Sequence, residues 1–337
     1  MLDRPTGYSA WYRLHSFPKN TPSKDKKMSW PRVTAIGIKD DDSKIISRFF
    51  DRKLPGVECI LLDPDAQLCC QTGGDSNDEI HRNLISGQMV CILFEAGKAT
   101  KISAAVKIAK TCRGLNILTI AVVLLPCVSQ DEALQAGAEL GLDKIAAVSD
   151  TVIPIFSSDF LKSLSKPSDI DAVYQNHDEM IRLAVKGVTD VFLNPGYFEI
   201  EFDDVRVMLK NSGMAFIATG FADIDLEATK AMARALRHPL MNSIFISSIK
   251  KFIMTISSKG NNISLGEMAE ASDMITSAMD EDAEYIWGHC HDPELGRMIR
   301  ITLIVFPVTK PEIQATRAVS PHSGQKNPSI HRCLPIW

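Results

Sequence analysis

Four carboxylates stand within six residues at Glu199, Glu201, Asp203 and Asp204. Paired carboxylates can polarise a water for attack on a γ-phosphate, provided the chain also holds that phosphate. Holding it takes backbone N–H groups that converge on the anion, and glycine is what lets a chain approach so closely. The 337 residues contain 19 glycines, about 5.6% against an average near 7%, which argues against glycine-rich phosphate loops. A GxxxxGK[ST] loop is absent, so that route to a phosphate site is closed. Asp40, Asp41 and Asp42 are consecutive acids. Like charges about 4 Å apart cost about 1 kcal/mol in water and several times more in a cleft, so such a run does not suit an anion. The same acids suit a solvated turn at a helix N-terminus.

The other reactive residue types form weaker patterns. His289-Cys290-His291-Asp292 has the letters of a metal site. Alternate residues at a strand end point to opposite faces, so a structural loop is the expectation and no metal is assigned. The eight cysteines include no CxxC pair, and Cys69-Cys70 lacks a catalytic partner. Cys59, Cys91 and Cys127 sit in or beside apolar runs, where a thiol acts as a small hydrophobe. A reducing, cytoplasmic location is the expectation.

Composition narrows the class further. Hydrophobic residues are 45% and charged residues 23%, which excludes wholesale disorder. A net charge of −4 argues against a general nucleic-acid binder. The longest largely apolar run, Leu115 to Val128, is about 14 residues, short of the roughly 18–20 that span a bilayer. No secretory signal is visible in the first 30 residues.

The elements that must position the acids follow from periodicity. Residues 1–30 form a basic arm, with six Lys or Arg against two Asp and with interleaved aromatics; it is expected to pack on its own domain or to move freely. Residues 31–168 alternate apolar runs with helical stretches, the pattern of a doubly wound parallel sheet. Strands are expected at Val33–Ile38, Glu58–Leu62, Met89–Leu93, Ile117–Leu125 and Thr151–Ile155. Helices are expected at Ser43–Arg52, Ser103–Cys112 and Glu132–Leu140. A long helix over 169–194 carries an apolar stripe from Met180 to Phe192 and stops at Asn194-Pro195-Gly196. Residues 195–312 read as a smaller α/β domain, with strands at Met214–Thr219, Phe245–Ile256, Tyr285–Cys290 and Met298–Val308 and helices at Asp225–Ala235 and Leu265–Met279. Residues 313–337 have no acids and read as a flexible tail.

This order of elements, and several segments within it, resemble the FtsZ branch of the tubulin/FtsZ family, the self-assembling cytoskeletal GTPases of prokaryotes. Leu62-Asp63-Pro64-Asp65-Ala66-Gln67-Leu68 resembles that family's VNTDAQAL. Asn116 to Val123 resembles GILTVAVV, and Asp150-Thr151-Val152-Ile153 with Phe160-Leu161-Lys162 resembles DSLITIPNDKLLK. Ala184-Val185-Lys186-Gly187-Val188, Pro195-Gly196 and Phe202-Asp203-Asp204-Val205 resemble AVQGI…PG…DFADV. The likeness runs collinearly over about residues 33–310, through Ala235 to Leu240 and on to Asp292-Pro293-Glu294-Leu295. It implies a tubulin/FtsZ-like α/β fold: an N-terminal doubly wound domain, a long central helix and a smaller C-terminal domain. It also implies head-to-tail protofilaments, in which the loop after the central helix enters the next subunit's GTP pocket and supplies the hydrolytic acids.

Position by position, the resemblance implies an altered nucleotide site. The family's first phosphate loop, GGGGGN, falls on Lys39 to Lys44, and its second, GGGTGTG, on a shorter stretch from Phe94 to Ser103 with one glycine. The base-holding Asn-Asp pair falls on His177 and Asp178, with Val173 replacing the preceding aromatic. The ribose-side pair falls on Gln130 and Leu134, and a later Asn on Ser157. The hydrolytic NxDxxD becomes Glu199, Glu201 and Asp204, with Asp203 alongside. The family's adaptor-binding C-terminus has a faint likeness in Leu334-Pro335-Ile336-Trp337, without its acidic and arginine pattern.

The expectation is a cell-division-related assembly protein that has lost the family's GTP binding and hydrolysis and needs no cofactor. Lys39, Lys44, Lys98 and Lys101 around the vacated pocket would pair with Glu199, Glu201, Asp203 and Asp204 of the next copy, or internally with Asp40–Asp42. Two alternatives stay open. One is a divergent GTPase still holding GTP or GDP through Asp178; the other is a non-polymerising cap on another FtsZ-family filament.

Overall fold

A computed structural model describes residues 31–39, 45–51, 54–62, 84, 87–125, 132–156, 170–197, 200–224, 227–238, 241, 244, 246–260 and 263–308. The basic arm, the tail and Cys69-Cys70 lie outside them.

Five apolar runs and one short strand make a wholly parallel sheet: β1 (Val33–Ile38), β2 (Val57–Leu62), β3 (Met89–Glu95), β4 (Leu118–Leu125), β5 (Thr151–Phe156) and β6 (Gly213–Met214), in the order β2-β1-β3-β4-β5-β6. Every position of β1 and β4 is buried, as expected for strands covered on both faces. On one face, Ile36, Val90, Ile92 and Val123 share a core with Ala105 and Ile108 of α2 (Ala99–Gly114) and Ile145 of α3 (Glu132–Ala146). On the other, Ala35, Cys91 and Ile120 share one with Phe49 of α1 (Ile45–Asp51) and with Ile181, Ala184 and Val188 of α4 (Ile170–Leu193). α4 is the long helix that the apolar stripe predicts.

After α4 come α5 (Phe202–Leu209), β7 (Phe216–Asp223), α6 (Glu227–Leu236), β8 (Ile249–Ser258), α7 (Leu265–Thr276), β9 (Glu284–His291) and β10 (Met298–Pro307). The second sheet has the order β7-β10-β8-β9, with β10 antiparallel to both neighbours and β8 parallel to β9. One face packs Phe252, Met254 and Leu303 against Met232 of α6 and Met268 and Ile275 of α7. α7 starts at a capping box in which Ser264 and Glu267 bond reciprocally. The other face gives Ile217, Ile253 and Ile304 to the same core as Ile181 and Val188, so α4 lies between the two sheets.

Several boundaries differ from the expected ones; the helix expected at Glu132–Leu140, for example, runs on to Ala146. The single strand at Met214–Thr219 is two, because Gly213 (φ 72°) turns the chain onto β5 and the next strand joins the other sheet. The strand at Phe245–Ile256 begins at Ile249, behind a 3-10 turn at Ile246–Ser248, and runs on to Ser258. It can extend because buried Ser257 and Ser258 have side-chain partners in Arg300 and His289. α2 starts at Ala99 rather than Ser103, which adds Lys101 and Ile102 to its buried side.

Candidate functional site

β1 leads to β2 on one side and β3 pairs on the other, so the strand order reverses between β1 and β3. In open α/β sheets the crevice for ligands lies outside the carboxyl ends of the strands at that point. Lys39 follows β1 there, exposed, and its N–H donates to Leu62 O at 2.7 Å. Gly37 is needed for packing, since a Cβ would lie 2.3 Å from the Phe50 ring of α1. Asp40, Asp41, Asp42 and Lys44 lie outside the described residues.

The connection from β3 to α2 is braced from within. Lys101 of the first helical turn is 2% exposed and pairs with Glu95 at the end of β3, Nζ to Oε2 3.6 Å. Burial pushes the Lys101 ammonium down to about 8. The first turn of α2 holds no acid, and Lys98 at its N-cap makes no side-chain cap bond. A helix N-terminus favours anions; here a buried cation with its own counter-ion occupies it. Lys101 is therefore not presented to a neighbouring copy, unlike the exposed Lys39 and Lys98. His177, Asp178 and Val173 fall on α4 and Leu134 on α3, with side chains outside the described set; Gln130 and Ser157 lie outside it entirely.

The acids are placed by α5. Glu201 is its N-cap in extended geometry (φ −68°, ψ 145°), and Asp203 and Asp204 fill its first turn. All three are exposed, where acids favourably meet the helix dipole. Val205, Met208 and Leu209 are buried on the opposite side, and Phe202 meets Phe192 of α4 edge-on at 5.2 Å. Glu199 lies outside the described residues.

The root of this acidic loop is fastened to the second sheet. Gly196 N–H donates to His289 O at 2.7 Å, His291 N–H donates to Asn194 O at 2.9 Å, and Pro195 bridges Cys290. Beside this seam lie four buried charges. Asp292 Oδ2 is 3.1 Å from Lys186 Nζ and 3.0 Å from Arg300 Nη1, and Asp190 Oδ2 is 3.3 Å and 3.4 Å from the same two residues. Arg300 also reaches Ser257 Oγ at 3.1 Å, and Asn194 donates to Asp190 at 3.0 Å. Burial alone would raise Asp292, but Arg300 and Lys186 outweigh it and hold the carboxyl below its usual value. In Asp190 burial prevails over the same cations and the pKa is raised.

The family model for the FtsZ C-terminal domain matches residues 213–309. A cell division protein FtsZ 1 from Pyrococcus horikoshii is 33% identical over 306 residues, covering 82% of this chain and 81% of the relative. The chain belongs to the FtsZ family. An FtsZ dimer from M. jannaschii, solved empty, superposes with a TM-score of 0.72 at 23% identity, over 84% of this chain and 90% of that one. A CetZ2 from Haloferax volcanii, solved as a GTPγS-bound protofilament, has a TM-score of 0.60 at 16% identity, over 83% and 94% of the two chains. Both share the tubulin/FtsZ-like arrangement of two sheets around a central helix.

Within this FtsZ fold, α5 brings Glu201, Asp203 and Asp204 together, while Lys39 and Lys98 sit at the ends of adjacent strands. The quartet Lys186, Asp190, Asp292 and Arg300 is a part of the site that sequence reasoning missed. Its signal was charged residues inside the apolar stripes of a helix and a strand. Residues 289–291 complete strand β9, with His289 and Cys290 buried and His291 exposed, and Asp292 caps the 3-10 turn that follows. Among the described residues, no helix is long and apolar enough to cross a membrane.

Proposed function

We propose that this FtsZ-family protein is a cytoskeletal assembly protein of the cell-division kind, whose copies stack head to tail without the family's GTP binding and hydrolysis. The observation that carries the reading is the buried Lys101–Glu95 pair, with its cation where a phosphate would meet the N-terminus of α2. The acidic loop keeps its charge: Glu201, Asp203 and Asp204 are exposed together at the start of α5. Stacking sets these acids against Lys39 and Lys98 of the next copy. A single exposed ion pair contributes about 0–1 kcal/mol, so the contact depends on several charges acting together. The dimeric and protofilament states of the solved FtsZ and CetZ2 chains support self-association as the mode of action.

The test is sedimentation and electron microscopy of the full chain without nucleotide, beside calorimetry with GTP and GDP. Nucleotide-free assemblies, lost in the double variant Lys39→Glu, Lys98→Glu and weakened by salt, are the expected result. A requirement for GTP overturns the reading in favour of a divergent GTPase. A monomer that co-sediments only with another FtsZ-family filament overturns it in favour of a cap.

A further inference from the structure

His289 is wholly buried at the foot of the acidic loop, and its ring is bonded on both sides. Nδ1 lies 3.3 Å from the Tyr197 backbone N–H. A backbone N–H only donates, so Nδ1 carries a lone pair and the proton sits on Nε2. Nε2 faces Ser258 Oγ at 2.9 Å, and that hydroxyl donates onward to Gly260 O at 2.6 Å. The three bonds form one consistent relay: Tyr197 N–H to His289, His289 to Ser258, Ser258 to Gly260. Gly196 makes room for it, because a Cβ there would lie 1.9 Å from Nδ1. The Tyr197 ring leans over the imidazole with centroids 5.1 Å apart.

We propose that His289 is a positioning residue for the acid-bearing loop: neutral, it clasps Tyr197 and sets Glu201, Asp203 and Asp204 for the neighbouring copy; protonated, it releases them and assembly is lost. The inference rests on the head-to-tail reading above and adds pH as its regulator. Protonation puts a second N–H on Nδ1, directed at the N–H of Tyr197, and two donors cannot bond. It also creates a buried cation with no free carboxylate beside it among the described residues. From β9 the facing titratable group is His291, which repels a second positive charge. β8 and the turn after it contribute the neutral Ser258 and Gly260, and the loop contributes the neutral Tyr197. Asp292 is held by Lys186 and Arg300, and Asp190 on α4 by the same two cations. Burial, helped by His291, holds His289 below its ordinary value. The native clasp therefore refuses protons that a released loop accepts, and it weakens as pH falls below about 6.5. Three residues separate the clasp at Tyr197 from the N-cap at Glu201, so the acids are the first helical positions downstream of the clasp.

The experiment follows hydrogen exchange of a peptide spanning 195–204, corrected for intrinsic rates, together with sedimentation of the full chain from about pH 8 to about pH 5. In the wild type, protection and pelleted fraction are expected to fall together below about pH 6.5, with exchange rising by up to about tenfold per pH unit until the clasped His289 itself takes the proton. His289→Gln keeps a carbonyl for the Tyr197 N–H and does not titrate, so both readouts are expected to stay flat. Nitrogen chemical shifts of wild-type His289 provide a measurement that needs no variant, and the neutral Nε2–H tautomer at pH 7 is expected. Protection that ignores pH, an Nδ1–H tautomer, or a His289→Gln profile matching the wild type each overturns the clasp. Protection that tracks pH without pelleting at any pH supports the clasp and overturns the head-to-tail reading.

Discussion

Replacing Asp292 by asparagine tests how the central helix and the second sheet are joined. Lys186 and Asp190 come from α4, Arg300 from β10 and Asp292 from the cap of the turn after β9, and all four side chains are at most 6% exposed. Two cations face two anions, so the group is neutral as a whole. The amide keeps the shape of the carboxylate and can keep the acceptor for Glu294 N–H, which lies 3.2 Å from Oδ1. What the change removes is the charge that touches both cations, leaving one buried positive charge uncompensated. Breaking a buried ion pair in this way costs about 3–5 kcal/mol. At about 2–4 °C per kcal/mol, the unfolding midpoint should drop by roughly 6–20 °C. Thermal and urea unfolding measure this directly, with Asp280→Asn as a control. Asp280 pairs with Lys250 at the surface, and its loss should cost less than about 1 kcal/mol. The double variant Lys186→Met, Asp292→Asn removes one charge of each sign and leaves Arg300 with Asp190. It should cost less than the sum of the singles by about 1 kcal/mol or more, the sign of energetic coupling. Additive single effects, or an Asp292→Asn loss as small as that of the control, would refute the claim that this quartet joins the two halves.

Two further substitutions probe the pocket and the second domain. Lys101→Met should raise the unfolding midpoint at pH 7, because the wild type keeps a desolvated ammonium there; that advantage should shrink above pH about 8, as the native lysine loses its proton before the unfolded one does and the wild type gains stability up to about pH 10.4. Melting curves at several pH values check the sign. Gly220→Ala should cost about 3 kcal/mol or more in urea unfolding, since overpacking here meets backbone rather than movable side chains: a Cβ would lie 2.0 Å from Ala231 O and 2.4 Å from Ala235 N of α6.

Patterns within ten or so residues carried most of the fold. β1 and α4 fall where apolar runs and a helical stripe place them, because burial on both faces or along one stripe leaves a periodic trace. The β6–β7 division left no such trace: one residue separates two strands that belong to different sheets, and only pairing partners more than 60 residues away distinguish them. The exposed acids of α5 were legible because a helix N-terminus tolerates them locally. Lys101 was misleading in the opposite way. A lysine in a pocket loop suggests a surface charge, whereas its burial is decided by the packing of α2 on β3. The charged positions inside the apolar stripes were visible, but what draws the quartet and the His289 relay together includes contacts across 31 to 110 residues, which no local pattern shows.

The passage of the chain at Ala215 has a mechanical meaning. β6 is bonded to β5 through Gly213 N–H to Asp150 O and Ala215 N–H to Val152 O, and two residues later Ile217 stands opposite Ile304 in the other sheet. No slack separates the two ladders, and α4 lies against both. A strain that separates the two sheets is therefore borne by backbone bonds within a few residues of Ala215, with no connecting loop to absorb it.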